Sequence, residues 1–185
     1  MRRQFSGLVV TALMVVVLVG CAASGASETT RPTLMTATET AAAEPSDVEL
    51  AQAVAQAYED YYGAAARTVN AGKNHDFSLD EAVTERWRPD IEKVYEMAET
   101  GGYAVTGEVV TSNARLLENK AEGDTFFTTA AFCHDLSAFI ITQDDSPIRP
   151  VDAETTGTIQ VTIQRVGDKH LIHQIRPYSE EWLCD

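Results

Sequence analysis

Two glycines, Gly101 and Gly102, separate stretches of this chain that obey different hydrophobic periods, so one kind of secondary structure cannot serve both. Ahead of them apolar residues recur at steps of three and four: Ala51, Val54, Ala55, Tyr58, Tyr62, Ala65 and Val69. The run follows a serine-to-glutamate capping box at Ser46 and Glu49 and meets a stop at Gly72, which predicts one long helix. A second cap at Ser78 opens a short helix carrying Leu79 and Val83, and Pro89 starts another with Ile91, Val94, Tyr95 and Ala98. Beyond the glycines, residues 103–117 are rich in Val and Thr, and residues 118–124 read as a polar turn. Residues 125–133 and 136–142 alternate as strands do. Ile159, Val161 and Ile163 interleave with polar residues, the pattern of a strand with one wet and one buried face, and Gly167-Asp168 turns it back into a last strand at 170–176. Helices first and an antiparallel meander afterwards make an α+β domain with the helices on one face of the sheet.

That order, with the paired terminal strands and the Gly-Asp turn between them, resembles the nuclear transport factor two-like fold. The resemblance implies N-terminal helices packed on a curved, mostly antiparallel sheet that closes into a cone. The string Phe132-Cys133-His134-Asp135-Leu136-Ser137, the proline-containing loop 147–150 and the strand ending Gln164-Arg165-Val166-Gly167-Asp168 are similar to those of uncharacterised lipoproteins of high-GC Gram-positive bacteria. It covers residues 47–185, a span within the usual size of one domain.

Residues 1–46 do not belong to that domain. Arg2 and Arg3 precede a charge-free stretch from residue 8 to residue 19, the layout of a secretory signal. As a helix that stretch would reach only about 18 Å, short of a hydrocarbon core roughly 30 Å thick. Leu18-Val19-Gly20-Cys21 resembles the lipobox of bacterial lipoproteins, which implies a signal peptide over 1–20 and lipidation at Cys21. Arg2-Arg3-Gln4-Phe5 also partly resembles a twin-arginine export signal. Residues 22–46 are mostly Ala, Thr, Ser, Glu and Gly, with Leu34 and Met35 the large apolar residues, so residues 21–46 read as a lipidated, flexible stalk.

Charge narrows the partners. The chain has 14 Lys+Arg against 28 Asp+Glu, a net charge of -14 that becomes -16 once Arg2 and Arg3 leave with the signal. A polyanion neither binds nucleic acid well nor is drawn to anionic headgroups, so the expected link to the membrane is the lipid on Cys21.

Once Cys21 is set aside, Cys133 and Cys184 remain, and in an oxidising compartment a disulfide is the simplest pairing, two buried thiols the alternative. Closing a loop of about 50 residues stabilises a fold by roughly 4 kcal/mol in the chain-entropy account, and the bond would pin the tail with Trp182 onto the sheet. Cys133-His134-Asp135 invites comparison with a catalytic triad, but neighbours on a strand point to opposite faces. His170 and His173 fall on opposite faces of the last strand and His75 has no ligand cluster beside it, so neither a metal nor a cofactor is expected.

Tyr58, Tyr62 and Trp87 are the candidates for lining a pocket between helix and sheet, with Tyr61 beside them, and core packing is the plainer use of all four. Asp60, Asp76 and Asp90 sit where helix faces and caps are normally polar. The expectation is an extracytoplasmic lipoprotein on the cell membrane, a non-catalytic binding or accessory module for an envelope protein or a small apolar ligand. The alternative is an enzyme using the cone pocket, as ketosteroid isomerases and polyketide cyclases of similar fold do.

Overall fold

A computed structural model describes residues 44–74, 78–148 and 154–184. The expected signal segment, Cys21, the stalk as far as residue 43, His75 and Asp76 lie outside the described residues. Helix α1 runs Asp47–Ala71 and α2 runs Arg88–Thr100. Among the described residues seven strands follow: β1 Tyr103–Thr106, β2 Val110–Glu122, β3 Thr125–Asp135, β4 Ile140–Gln143, β5 Ser146–Pro147, β6 Thr156–Val166 and β7 Lys169–Pro177. Their pairing is antiparallel throughout, in a three-stranded sheet β1-β4-β5 and a four-stranded sheet β2-β3-β6-β7, and the helices pack on them. The protein is therefore α+β.

The long helix starts where its capping box places it. The Ser46 hydroxyl accepts from the Glu49 backbone N–H at 3.3 Å, and the Glu49 carboxylate takes the Ser46 backbone N–H at 2.7 Å. Both interactions satisfy donors that a helix start leaves without partners. Its buried stripe includes Tyr61 as well as Ala51, Val54, Ala55, Tyr58, Ala65 and Val69, while Tyr62 is half-buried. The stripe is wide because α1 meets strands of both sheets and α2 as well.

Three expectations change. Val83 is not helical: the serine cap opens only a short 3-10 turn, Leu79–Glu81, and Val83 then pairs in parallel with Ile172. Ile172 N–H donates to the Ala82 carbonyl and Thr84 N–H to the Ile172 carbonyl, both at 2.9 Å, so this segment covers part of the open edge of β7. The turn expected over 118–124 shrinks to Gly123-Asp124, because β2 continues to Glu122. Glu118, Asn119 and Lys120 are polar because their strand lies in water, and Gly123 supplies the positive φ of 63° that the two-residue turn requires. The single strands expected over 103–117 and 136–142 are interrupted. At Gly107 (φ +77°) a Cβ would stand 1.7 Å from the Ala138 carbonyl oxygen, and the Asp135 carboxylate takes the Ser137 N–H at 2.7 Å to start a turn that delays β4 to Ile140.

The core lies between α1 and the sheets. Tyr58, Phe132, Leu79, Ile91, Ile163 and Ile172 are its largest fully buried side chains. The alternation read in β6 holds: Ile159, Val161 and Ile163 are buried, and Gln160, Thr162 and Gln164 are half-exposed.

Candidate functional site

The two faces of β3 separate the residues that are adjacent in sequence. Cys133 faces the C-terminal segment, where its sulfur lies 2.09 Å from that of Cys184, a disulfide spanning 51 residues. Leu183 N–H donates to the buried Thr158 hydroxyl and Asn113 Nδ2 to the Leu183 carbonyl, both at 2.8 Å, and Arg115 pairs with Glu181. Residues 178–184 are thereby laid against the sheet, yet Trp182 does not pack on it and is 66% exposed. The bond acts through Cys184, and residue 182 lies on the outer side of the strap.

His134 points the other way, toward α1. Its Nδ1 shares a hydrogen bond of 2.8 Å with the Tyr58 hydroxyl. Burial first, then the charge and hydrogen bonding of Tyr62 and the charge of Tyr61, raise the Tyr58 phenol far above its usual range, so it stays neutral. Tyr58 also packs against Tyr62 and Phe132, with ring centroids 4.8 and 5.4 Å away. This is a buried polar pair inside an aromatic cluster, and neither member lines the cleft described next.

That cleft has a volume of about 240 Å³ and lies between α1, α2, β1 and β4. Tyr62 and Trp87, both expected, are in its wall, and Tyr61 takes the place expected for Tyr58. Val94, Met97, Phe139 and Ile141 complete a lining that is mainly apolar. Positions 58, 61 and 62 share a helix face, but its flanks meet different neighbours: Tyr58 meets β3, whereas Tyr61 and Tyr62 look toward Trp87 and Phe139.

Two polar features interrupt the apolar wall. The indole Nε1 of Trp87 is buried and completes no hydrogen bond of good geometry, the Tyr61 hydroxyl being the polar group it approaches. A buried donor left unmade costs about 1–3 kcal/mol, so its position requires an explanation. The Tyr61 phenol is pushed up to about 12, chiefly by burial; hydrogen bonding from the approaching Trp87 indole N–H opposes the rise, while Tyr62 and Asp90 add to it. Asp90 is the acid that sequence reasoning set aside as an ordinary cap residue, and it does line the cleft. Its side chain is 40% exposed and pairs with Lys93 at 3.1 Å. The signal available for it was its place in the first turn of α2, directly after the helix-starting Pro89 and three residues after Trp87.

A larger groove of about 880 Å³ follows α1 past Gln56, Asp60 and Arg67 to Glu108 and Asp168. It is polar and acidic, and two of its acids bond within the protein: Asp60 accepts from Gln56 Nε2 at 3.0 Å, and Glu59 takes both the N–H and the hydroxyl of Thr111 at 2.8 and 2.6 Å. Among the described residues no three His, Cys, Asp or Glu side chains gather as metal ligands, and no helix is long and apolar enough to cross a membrane. His170 is exposed on β7, whereas His173 is half-buried between Thr84 and Phe127.

No protein-family model matches this chain, and no curated protein matches it in sequence.

Proposed function

We propose that this protein is an extracytoplasmic lipoprotein, tethered through Cys21 to the cell membrane, whose domain is a non-catalytic binding module for a small, neutral, mainly apolar ligand bearing one hydrogen-bond acceptor. The observation that carries the ligand class is the buried Trp87 Nε1, which completes no hydrogen bond of good geometry, in a mainly apolar cleft. A carbonyl, ether or hydroxyl oxygen on a ligand would take that donor, and the phenol of Tyr61, kept protonated, offers a second. Asp90 at the same cleft disfavours an anionic ligand.

Size limits the ligand further. A cavity of about 150 Å³ holds benzene, and drug-sized sites begin near 300 Å³. The cleft at about 240 Å³ therefore suits a one- or two-ring molecule or a short branched chain, well below a steroid. The finer reading of the fold as a nuclear transport factor two-like cone is supported by α1 touching β1, β2, β3, β6 and β7, as a helix wrapped by a curved sheet does.

The rival reading, an isomerase- or cyclase-like enzyme, draws on Asp90 beside the Tyr61 hydroxyl. A general base in that chemistry is desolvated and unpaired, and Asp90 is half-exposed and held by Lys93. Fluorescence titration of the full chain in a Trp182→Phe background, which leaves Trp87 as the tryptophan, tests the proposal. Small aryl ketones should quench or shift the emission and the matching carboxylates should bind more weakly. Equal binding of both, or binding of neither, would overturn the assignment.

A further inference from the structure

The four-stranded sheet has a second exposed feature, on the face opposite Phe132. There Phe127, Gln160, Gln174, Arg176 and His173 line a groove of about 360 Å³. Arg86 and His173 also line an adjoining groove of about 440 Å³ that continues toward Asp80 and Arg88. Either volume is that of a small-molecule site, and together they form a continuous track.

The lining selects among ligands. The groove is polar, so an apolar ligand gains little there. The groove lies over the face of the sheet, where backbone groups bond between neighbouring strands, so a peptide lying in it would find no backbone to pair with. What the face does offer is side chains: two amides, a guanidinium bonded to Gln160 at 3.0 Å, the Thr129 and Thr162 hydroxyls paired at 3.0 Å, and an aromatic platform of Phe127 with the His173 ring 5.1 Å away. Planar hydrogen-bonding groups around an aromatic ring match a hydroxyl-rich ring with an apolar C–H face, which is a sugar. Charge then narrows the sugar. Lys120 in the groove is held by Glu122 at 2.9 Å, and Arg86 and Arg176 form no salt bridge among the described residues. Two guanidinium groups without a salt bridge thus share the groove with one carboxylate, Glu118, that Lys120 does not hold, in a chain whose net charge is -14. Guanidinium recognises carboxylate in a planar, two-point geometry.

We propose that this groove is a second binding site, for an acidic glycan: a chain of sugars bearing carboxylates, stacked on Phe127 and held through Arg86 and Arg176. It is independent of the apolar cleft, from which none of these side chains is drawn. Calorimetric titration of the full chain with tetragalacturonate, with cellotetraose as the uncharged counterpart, tests it. Tetragalacturonate should bind and weaken as salt rises, with cellotetraose at least about tenfold weaker. Arg176→Ala, at an exposed position, should lower the affinity about tenfold or more with an unchanged melting temperature, and Phe127→Ala should lower it similarly. Trp182→Phe should bind as the unmodified protein does. Absence of tetragalacturonate binding at millimolar concentration, equal affinity for both oligosaccharides, or unchanged affinity in a folded Arg176→Ala protein would each overturn the proposal.

Discussion

Removing the disulfide by the double substitution Cys133→Ala, Cys184→Ala tests how the C-terminal strap contributes to the domain. The bond spans 51 residues of chain, from near the end of the inner strand β3 to Cys184. In the chain-entropy account a loop of that length restrains the unfolded state by about 4 kcal/mol at 25 °C. The native strap has further ties: the Leu183 backbone bonds to Thr158 and Asn113, and Arg115 pairs with Glu181. Those bonds survive the substitution, so the strap should stay docked and the loss should come mainly from the released unfolded chain. For a domain of this size about 4 kcal/mol corresponds to a fall of roughly 10–20 °C in Tm. Equilibrium urea unfolding supplies the second signature: the denaturant slope should rise in the variant, because an unfolded chain without the cross-link exposes more surface. A loss below about 1 kcal/mol, with an unchanged slope, would refute the reasoning.

Three other outcomes are expected. Cys21→Ala should abolish lipid labelling and move the protein from the membrane to the soluble fraction in cell fractionation; full labelling without Cys21 would contradict the lipoprotein reading. Burial and the nearby Arg86 hold the His173 imidazole below its usual range, opposed by Glu122, so below about pH 6.5 the unfolded chain binds more protons than the folded one. Stability should therefore fall as pH drops through that value toward the depressed folded one, and His173→Gln should flatten that part of a Tm-versus-pH curve. Asn70 bridges α1 to β1, its Nδ2 donating to the Val105 carbonyl at 2.7 Å and its Oδ1 accepting the Val105 N–H at 2.8 Å, so Asn70→Ala should cost about 1–3 kcal/mol by urea unfolding.

Periodicity carried much of the fold. The α1 stripe, the cap at Ser46 and the β6 alternation are local patterns with one good structural solution, and each is readable residue by residue. What the sequence hid are places where a distant partner overrides a local preference. Val83 lies behind a good helix cap, yet it leaves the helical conformation to pair with Ile172, 89 positions further on. Glu118, Asn119 and Lys120 read as a turn because polar residues are common both in turns and on strands that project into water, and only the hairpin at Gly123 distinguishes the two. At the cleft, Tyr62 and Trp87 were legible as aromatics on the correct elements. The exchange of Tyr58 for Tyr61 was not, because residues three apart share a face and only the packing of His134 and Phe132 draws Tyr58 to the other flank. The orphaned indole of Trp87 and the approach of Asp90 depend on how α2 docks beside α1, which hydrophobic spacing does not encode.

The indole N–H of Trp87 is the atom on which the binding proposal rests, and its proton–nitrogen NMR signal reports directly on whether it gains an acceptor. In the Trp182→Phe protein, one indole signal remains. Titration with a small aryl ketone should move it downfield with saturation and slow its exchange with water, as a donor does on forming a hydrogen bond. Trp87→Phe should weaken ketone binding by roughly two- to tenfold, the value of one hydrogen bond of about 0.5–1.5 kcal/mol. An indole signal that stays in place while the ketone saturates the protein, or a Trp87→Phe protein that binds it equally well, would contradict the account.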